Sequence, residues 1–266
     1  MTGLDLTMQR ELLYAGLGFP RLLRARCAMR AATVALLDGP VDATAPHFAR
    51  VSVVARGDPD EMQTPSDHAT AIASLLVVPG AHDRVHLLCW PTLGDAQAAG
   101  ARCAQHLLEA CVARPDFILL GFEFLGTAPG FLQAAQAALD TAHVAGIPVL
   151  APAGNHGGAV AHPLYAHPAL VPVTTAGGAW GPRAARGIGA PGHAVPVVLA
   201  DGRATTASGT SFAAALAAAA LASLVARCPL PATHLCAALR RGTGPATRTL
   251  PPDLDVWRAF QHLPPS

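Results

Sequence analysis

A chain of 266 residues can bury a sizeable core, and its even spread of Pro and Gly reads as one domain rather than two. Charged residues make up only 13% and hydrophobic residues 52%, against a usual charged share of about 25%. The net charge of +1 supplies no field for nucleic acid or an anionic membrane, and the thin surface charge hints at a pathway partner or a self-association face.

The first 30 residues read as a helical extension. Apolar, β-rich runs follow at "TVALLD" (33–38) and "VSVVAR" (51–56). A helix is predicted over 66–78, with Ser66 or Asp67 as its cap. Next come a strand "VHLLCW" (85–90), a helix over 96–113, a strand "FILLGFEF" (117–124) and a helix over 130–145. "IPVLAPAG" (147–154), "LVPVTTA" (170–176) and "AVPVVLA" (194–200) are further strands. The alanine-rich run 211–226 is a helix, and short helices are expected over 231–241, ended by Arg240 and Arg241, and over 253–262. Unbroken apolar strands alternating with helices predict an α/β fold with a mostly parallel central sheet covered on both faces. In such sheets the functional groups gather at the carboxyl ends of strands and at the starts of the helices that follow.

Cysteines 27, 89, 103, 111, 228 and 236 form no CxxC. The two pairs spaced eight apart are expected near one helix face, too far apart to bridge, so buried free thiols are expected. No secretory signal is recognisable at the N-terminus. Phe212 to Ala226 is uncharged but shorter than the roughly 20 residues of a membrane span. A soluble, cytoplasmic protein with no membrane association is expected. Histidines 82, 86, 162, 167 and 193 complete no metal motif, and the one acidic loop, "GDPDE" (57–61), is not expected to hold calcium. Neither metal nor cofactor is predicted.

Four polar residues stand where such a fold concentrates function. Asp38 ends the first strong strand, although an aspartate before glycine also suits a turn. His68 begins a helix, Asn155 follows a strand, and Ser211 opens the alanine-rich helix, where Thr210 and Ser208 are alternative caps. Together they supply an acid, a base, an amide donor and a nucleophile. A serine hydroxyl needs a base within hydrogen-bond reach and an acid to orient that base. The oxyanion formed on attack needs donors, and a helix N-terminal N–H with a side-chain amide can supply them.

The order Asp, His, Asn, Ser resembles the subtilisin-like serine peptidases, whose triad runs Asp, His, Ser along the chain. "VALLDGPVD" is similar to that family's aspartate strand, "DHATAIASLL" to its histidine helix, "IPVLAPAGNHGG" to its oxyanion strand and "ASGTSFAAALAAAAL" to its nucleophile helix. Weaker echoes are "LYAHPALVPVTT", "GIGAPG" and "DLDVWRAF", so the similarity spans roughly residues 31 to 262. The resemblance implies a three-layer subtilisin-like fold in a single domain over 1–266. It implies catalytic roles for Asp38, His68 and Ser211, and an oxyanion role for Asn155.

Departures are informative. Asp-Ser/Thr-Gly becomes Asp38-Gly39-Pro40, and "DGPVD" resembles the peptidases that trim precursor peptides in cyanobactin-type pathways. His-Gly-Thr-His becomes His68-Ala69-Thr70-Ala71, Ala215 replaces a proline, and "LLGFEFLG" replaces the family's substrate strand. An extended peptide is implied to bind at a strand edge near Gly121 to Gly126. Its first side-chain pocket is implied between that edge and Pro152 to His156. Gly121, Phe122, Glu123, Pro152, Gly154 and His156 are thus the implied substrate contacts. Phe122 and Phe124 also suit plain strand packing. Glu123 can attract a basic substrate residue or stay solvated, and a protonated His156 is expected to disfavour one.

The expected function is a serine endopeptidase that processes a ribosomally made precursor peptide by leader removal, with no large pro-segment in this chain. General intracellular proteolysis and acyl transfer giving a macrocycle are the nearest alternatives. A catalytically silent peptide-binding or scaffold relative, and an esterase using the same groups, are the others.

Overall fold

The computed structural model describes residues 5–26, 28–58, 64–81, 84–92, 99–156, 162–176, 186–241 and 253–264. Cys27, His82 and residues 59–61 of the acidic loop lie outside them.

Seven parallel strands form the central sheet: β1 (Ala32–Asp38), β2 (Ser52–Ala55), β3 (Val85–Pro91), β4 (Phe117–Leu120), β5 (Val149–Pro152), β6 (Leu170–Thr175) and β7 (Ile188–Ala190). Their spatial order is β2-β3-β1-β4-β5-β6-β7. From β1 the chain builds β3 and β2 on one side, then crosses to build β4 to β7 on the other. The direction of winding therefore reverses between β1 and β4, and the crevice outside the carboxyl ends of those two strands is the topological switch point.

The sheet is covered on both faces. Val34 and Leu36 of β1 enter a core with α3 (Asp67–Leu76) and α6 (Thr210–Val225), while Ala35 and Leu37 enter a second core with α4 (Ala99–Val112) and α5 (Pro129–Val144). Alternate side chains of a strand point to opposite faces, so burial on both faces demands an unbroken apolar run. The same split repeats in β4, with Phe117 and Leu119 against Ile118 and Leu120.

Helix α6 is apolar all round and packs against β1, β4, β5, β6 and β7 as well as α3. Its alanines combine the highest helix propensity with the smallest side chain, which lets many elements approach one axis. The helices α7 (Ala232–Leu239) and α8 (Val256–Gln261) complete that side. No described helix is long and apolar enough to cross a membrane.

The N-terminal segment forms α1 (Leu6–Gly16) and α2 (Phe19–Ala25). Arg10 is buried, and its guanidinium donates to the carbonyls of Ser74 and Val77 (3.0 Å for the latter), while the Tyr14 hydroxyl donates to the Leu75 carbonyl at 2.5 Å. Carbonyls at a helix C-terminus lack intrahelical partners and carry the negative end of the dipole. The first helix thus caps the far end of α3, the helix that begins beside His68.

Three expectations need correction. The strand predicted through Phe124 stops at Leu120, and residues 121–126 leave the ladder. The run 194–200 is β8 (Val195–Val198), which pairs antiparallel with β9 (Ala204–Ala207) in a separate two-stranded sheet rather than joining the parallel one. Cys228 and Cys236 do not share a helix, because Cys228 lies beyond the end of α6 and Cys236 within α7. All five described cysteines are buried and free.

Candidate active site

Alternation along β1 sends Asp38 to the face of Val34 and Leu36, hence toward α3 and α6. Its carboxylate is fully buried, and such a group is costly unless it is hydrogen-bonded. His68 Nδ1 lies 3.1 Å and 3.0 Å from its two oxygens, and the Gly39 N–H donates to Oδ1 at 2.7 Å. An ionised carboxylate only accepts, so Nδ1 carries the proton and the neutral ring keeps its lone pair on Nε2.

Two glycines make room for this pair. A Cβ on Gly39 would stand 2.7 Å from Ser66 Cβ, so glycine lets the start of α3 close on the end of β1. Ser66 caps α3, its Oγ accepting from the Ala69 N–H at 3.2 Å, and its own N–H donates to the Pro40 carbonyl at 2.7 Å. Gly121 follows β4 and donates to the Leu37 carbonyl at 2.9 Å, which brings it alongside Asp38. A Cβ there would lie 1.9 Å from Asp38 Oδ2. The carboxylate occupies the space that a side chain at 121 would need.

Burial of the imidazole disfavours its protonated form. The hydrogen bond that Nδ1 donates to Asp38 and the carboxylate's negative charge together outweigh that, and the His68 pKa stands above its ordinary value. Burial, with a smaller contribution from Asp38, pushes the nearby Cys89 thiol up to about 12.

Ser211 is the second residue of α6, and of that helix's sixteen residues it alone is not buried. Its neighbour Phe212 meets the His68 ring edge-on, with centroids 5.6 Å apart. The start of α6 therefore adjoins the Asp38–His68 pair. No hydrogen bond joins Ser211 to His68 among the described residues. Catalytic hydrogen bonds in ligand-free sites are often long and tighten only with substrate.

Asn155 follows β5 and reaches the same helix start. Its Oδ1 accepts from the Thr210 N–H at 2.9 Å and from the Thr210 hydroxyl at 3.2 Å. An N–H donor must face the amide oxygen, which fixes the side-chain flip and leaves the amide NH₂ as the exposed donor. The cap of α6 thus comes from Asn155 rather than from Ser208 or Thr210. The Ser208 hydroxyl instead accepts from the Ala194 N–H at 2.9 Å. Gly209, at φ +148°, occupies the N-cap position, and its N–H donates to the Gly192 carbonyl at 2.8 Å.

The six implied substrate contacts fall on two neighbouring segments at and beyond the ends of β4 and β5. Pro152 ends β5, and its carbonyl accepts from the Tyr165 hydroxyl. Gly154, at φ +103°, has no Cβ, and the Glu123 carboxylate lies where one would be, with Oε2 at 2.1 Å from that position. Phe122 is half-buried; Phe124 is buried against Phe131, His162 and Tyr165 at centroid distances of 6.2, 5.8 and 6.0 Å. His156 is exposed beside Asn155. Gly121 serves the Asp38 carboxylate as well as this wall.

Phe212, Thr210 and Tyr165 are the neighbours that motif reading did not single out for the site. Tyr165 lies in "LYAHPALVPVTT", so that segment was the available signal. Among the described residues no group of His, Cys, Asp and Glu could hold a metal ion. His167 instead bonds Asp140 at 3.0 Å, and His86 bonds Ser52 at 2.6 Å.

No protein-family model and no curated protein sequence matches the chain. Solved structures do. The prenylagaramide maturation protease PagA superposes with a TM-score of 0.78 at 21% identity, over 93% of this chain and 99% of that one. The patellamide maturation protease PatA gives 0.74 at 24% identity, over 88% and 97%. A lanthipeptide protease gives 0.78 at 16% identity, over 97% and 96%. These are subtilisin-like serine proteases, and the chain has their fold. At these identities the likeness concerns the fold, and the chemistry has to be argued from the residues.

Proposed function

We propose that the chain is a serine endopeptidase in which Asp38, His68 and Ser211 form the catalytic triad. The observation that carries this reading is the buried Asp38 carboxylate on His68 Nδ1, beside the start of a helix whose one unburied residue is a serine. Asp38 holds the imidazole in the tautomer whose Nε2 can accept a proton. His68 takes the proton of the Ser211 hydroxyl as that oxygen attacks the scissile carbonyl, and returns it to the leaving amine. The Ser211 N–H, at the positive end of α6, and the Asn155 amide donate to the oxyanion. Water then hydrolyses the acyl-enzyme with His68 again acting as base.

The substrate we infer is a ribosomally made precursor peptide that loses its leader. The departure "DGPVD" after β1 supports this, as do three neighbours in structure described as maturation or lanthipeptide proteases. The test is incubation with candidate precursor peptides and mapping of the products by mass. Cleavage at one site, lost in Ser211→Ala, is the expected result. A product one water lighter than the hydrolysed fragment would indicate acyl transfer instead. Precursor binding without any cut, unchanged by Ser211→Ala, would make the chain a silent scaffold and overturn the proposal.

A further inference from the structure

Of the groups near the candidate site, Glu123 is the one that the reaction leaves unused. Its carboxylate is not adrift in solvent. It is half-buried and seated in the hollow that Gly154 leaves, where any larger residue would collide with Oε2. The segment that carries it is fixed by Phe124, packed among Phe131, His162 and Tyr165, and by His162 Nε2 at 2.8 Å from the Gly126 carbonyl. The opposite segment is tied down by the Tyr165 hydroxyl on the Pro152 carbonyl and by Asn155 on Thr210.

A seated carboxylate normally has a partner. Among the described residues Glu123 makes no salt bridge and no hydrogen bond. The two histidines closest in sequence to this wall are otherwise placed: His162 turns to Gly126 and stacks on Phe124, and His156 is exposed. Tyr165 packs edge-on against Phe124 at a centroid distance of 6.0 Å, so an aromatic ring adjoins the segment that carries Glu123.

Gly154 is the chain neighbour of Asn155, with Cα atoms about 3.8 Å apart. A carbonyl held by the Asn155 amide and the Ser211 N–H has the Cα of its own residue one bond away. That residue's side chain can then enter between the 121–126 and 152–156 segments, where the carboxylate waits. Three or four methylenes let a cationic head reach a carboxylate beyond the reacting backbone, and the half-buried Phe122 next to Glu123 offers apolar surface to the stem. We propose that Glu123 selects a basic residue, Arg or Lys, on the acyl side of the scissile bond. This deepens the peptidase reading above and rests on it.

The test uses fluorogenic peptide amides that differ only in the residue donating the scissile carbonyl. Peptides with Arg or Lys are cut about 10–100-fold more efficiently than those with Ala or Leu, the range expected of a hydrogen bond to a charged group. Glu123→Gln, which keeps shape, removes that advantage, read as the ratio of kcat/KM for the Arg and Ala peptides falling to about 1. Glu123→Lys shifts preference toward Asp and Glu. Should no peptide be turned over, labelling rates with arginyl and leucyl phosphonate esters replace them, with the same expected order. Ser211-dependent cutting or labelling without a basic preference, or one that survives Glu123→Gln, overturns this inference alone. Failure of every phosphonate, a simple fluorophosphonate included, to modify Ser211 overturns the peptidase reading and this inference with it.

Discussion

Replacing Gly121 by alanine perturbs the candidate site without substituting any of the four residues assigned a chemical role. The new Cβ would lie 1.9 Å from Asp38 Oδ2 and 2.4 Å from Cγ. Ordinary contact begins near 3.4 Å, so the carboxylate or the backbone must retreat by about 1.5 Å. Asp38 is fully buried and cannot swing into solvent, so the strain is not relieved cheaply. Overpacking of this kind costs about 1–3 kcal/mol. At about 2–4 °C per kcal/mol for a protein of this size, Tm falls by roughly 2–12 °C. The 3.0 Å contact with His68 does not survive such a retreat. Misplacing a catalytic group by about 1 Å costs some 10²-fold and loss of the orienting acid about 10⁴-fold, so kcat falls by about 10²–10⁴. Scanning calorimetry and peptide turnover measure the two effects. Gly130→Ala is the control: the position meets nothing within 4 Å, lies in α5, and is expected to keep full activity. There the exchange stabilises by about 0.4–1 kcal/mol. Full activity and an unchanged Tm in Gly121→Ala would refute the claim that Asp38 fills that space.

The acidic limb of kcat/KM should have its midpoint above the ordinary histidine value of about 6.5, because the base must be neutral and the His68 pKa is raised. Asp38→Asn removes both raising influences and moves that midpoint down. The same shift makes the pair's contribution to stability complete below about pH 6.5 and lost as pH rises through the folded-state value. Asn155→Ala removes an oxyanion donor, at about 10²–10³ in kcat, and a helix cap, at about 1 kcal/mol. Asn155→Asp keeps the acceptor on Thr210 and loses the donor, so its turnover collapses while Tm holds. Burial pushes the Cys89, Cys103 and Cys236 thiols up to about 12 and Cys111 up to about 11. With Cys228 also buried, a thiol reagent at pH 8 should titrate at most Cys27 in the native protein. Rapid reaction of two or more thiols would contradict the packing described.

The parallel sheet and its main helices were legible because their residues repeat a local pattern: strands buried on both faces read as unbroken apolar runs. Asp38, His68, Asn155 and Ser211 stand out as candidates in the sequence because each sits where a strand ends or a helix begins. What escaped is what depends on distant neighbours. "FILLGFEF" is apolar enough to continue as a strand, but Gly121 lies alongside Asp38, and beyond it Phe124 packs into an aromatic cluster. Ser208 and Thr210 are the local cap candidates of α6, yet the cap comes from Asn155, 55 positions before Thr210. β7 is three residues, "IGA", too short to show a period. The grip of Arg10 and Tyr14 on the end of α3 joins segments more than sixty residues apart, and no local rule reveals it.

The central claim, that these four groups act on one reacting atom, is tested most directly by fluorophosphonate modification located by peptide mapping. The account predicts a single adduct, on Ser211, absent from Ser211→Ala and formed orders of magnitude more slowly in a folded His68→Ala. An adduct on another serine, or undiminished labelling of Ser211 without His68, would contradict it.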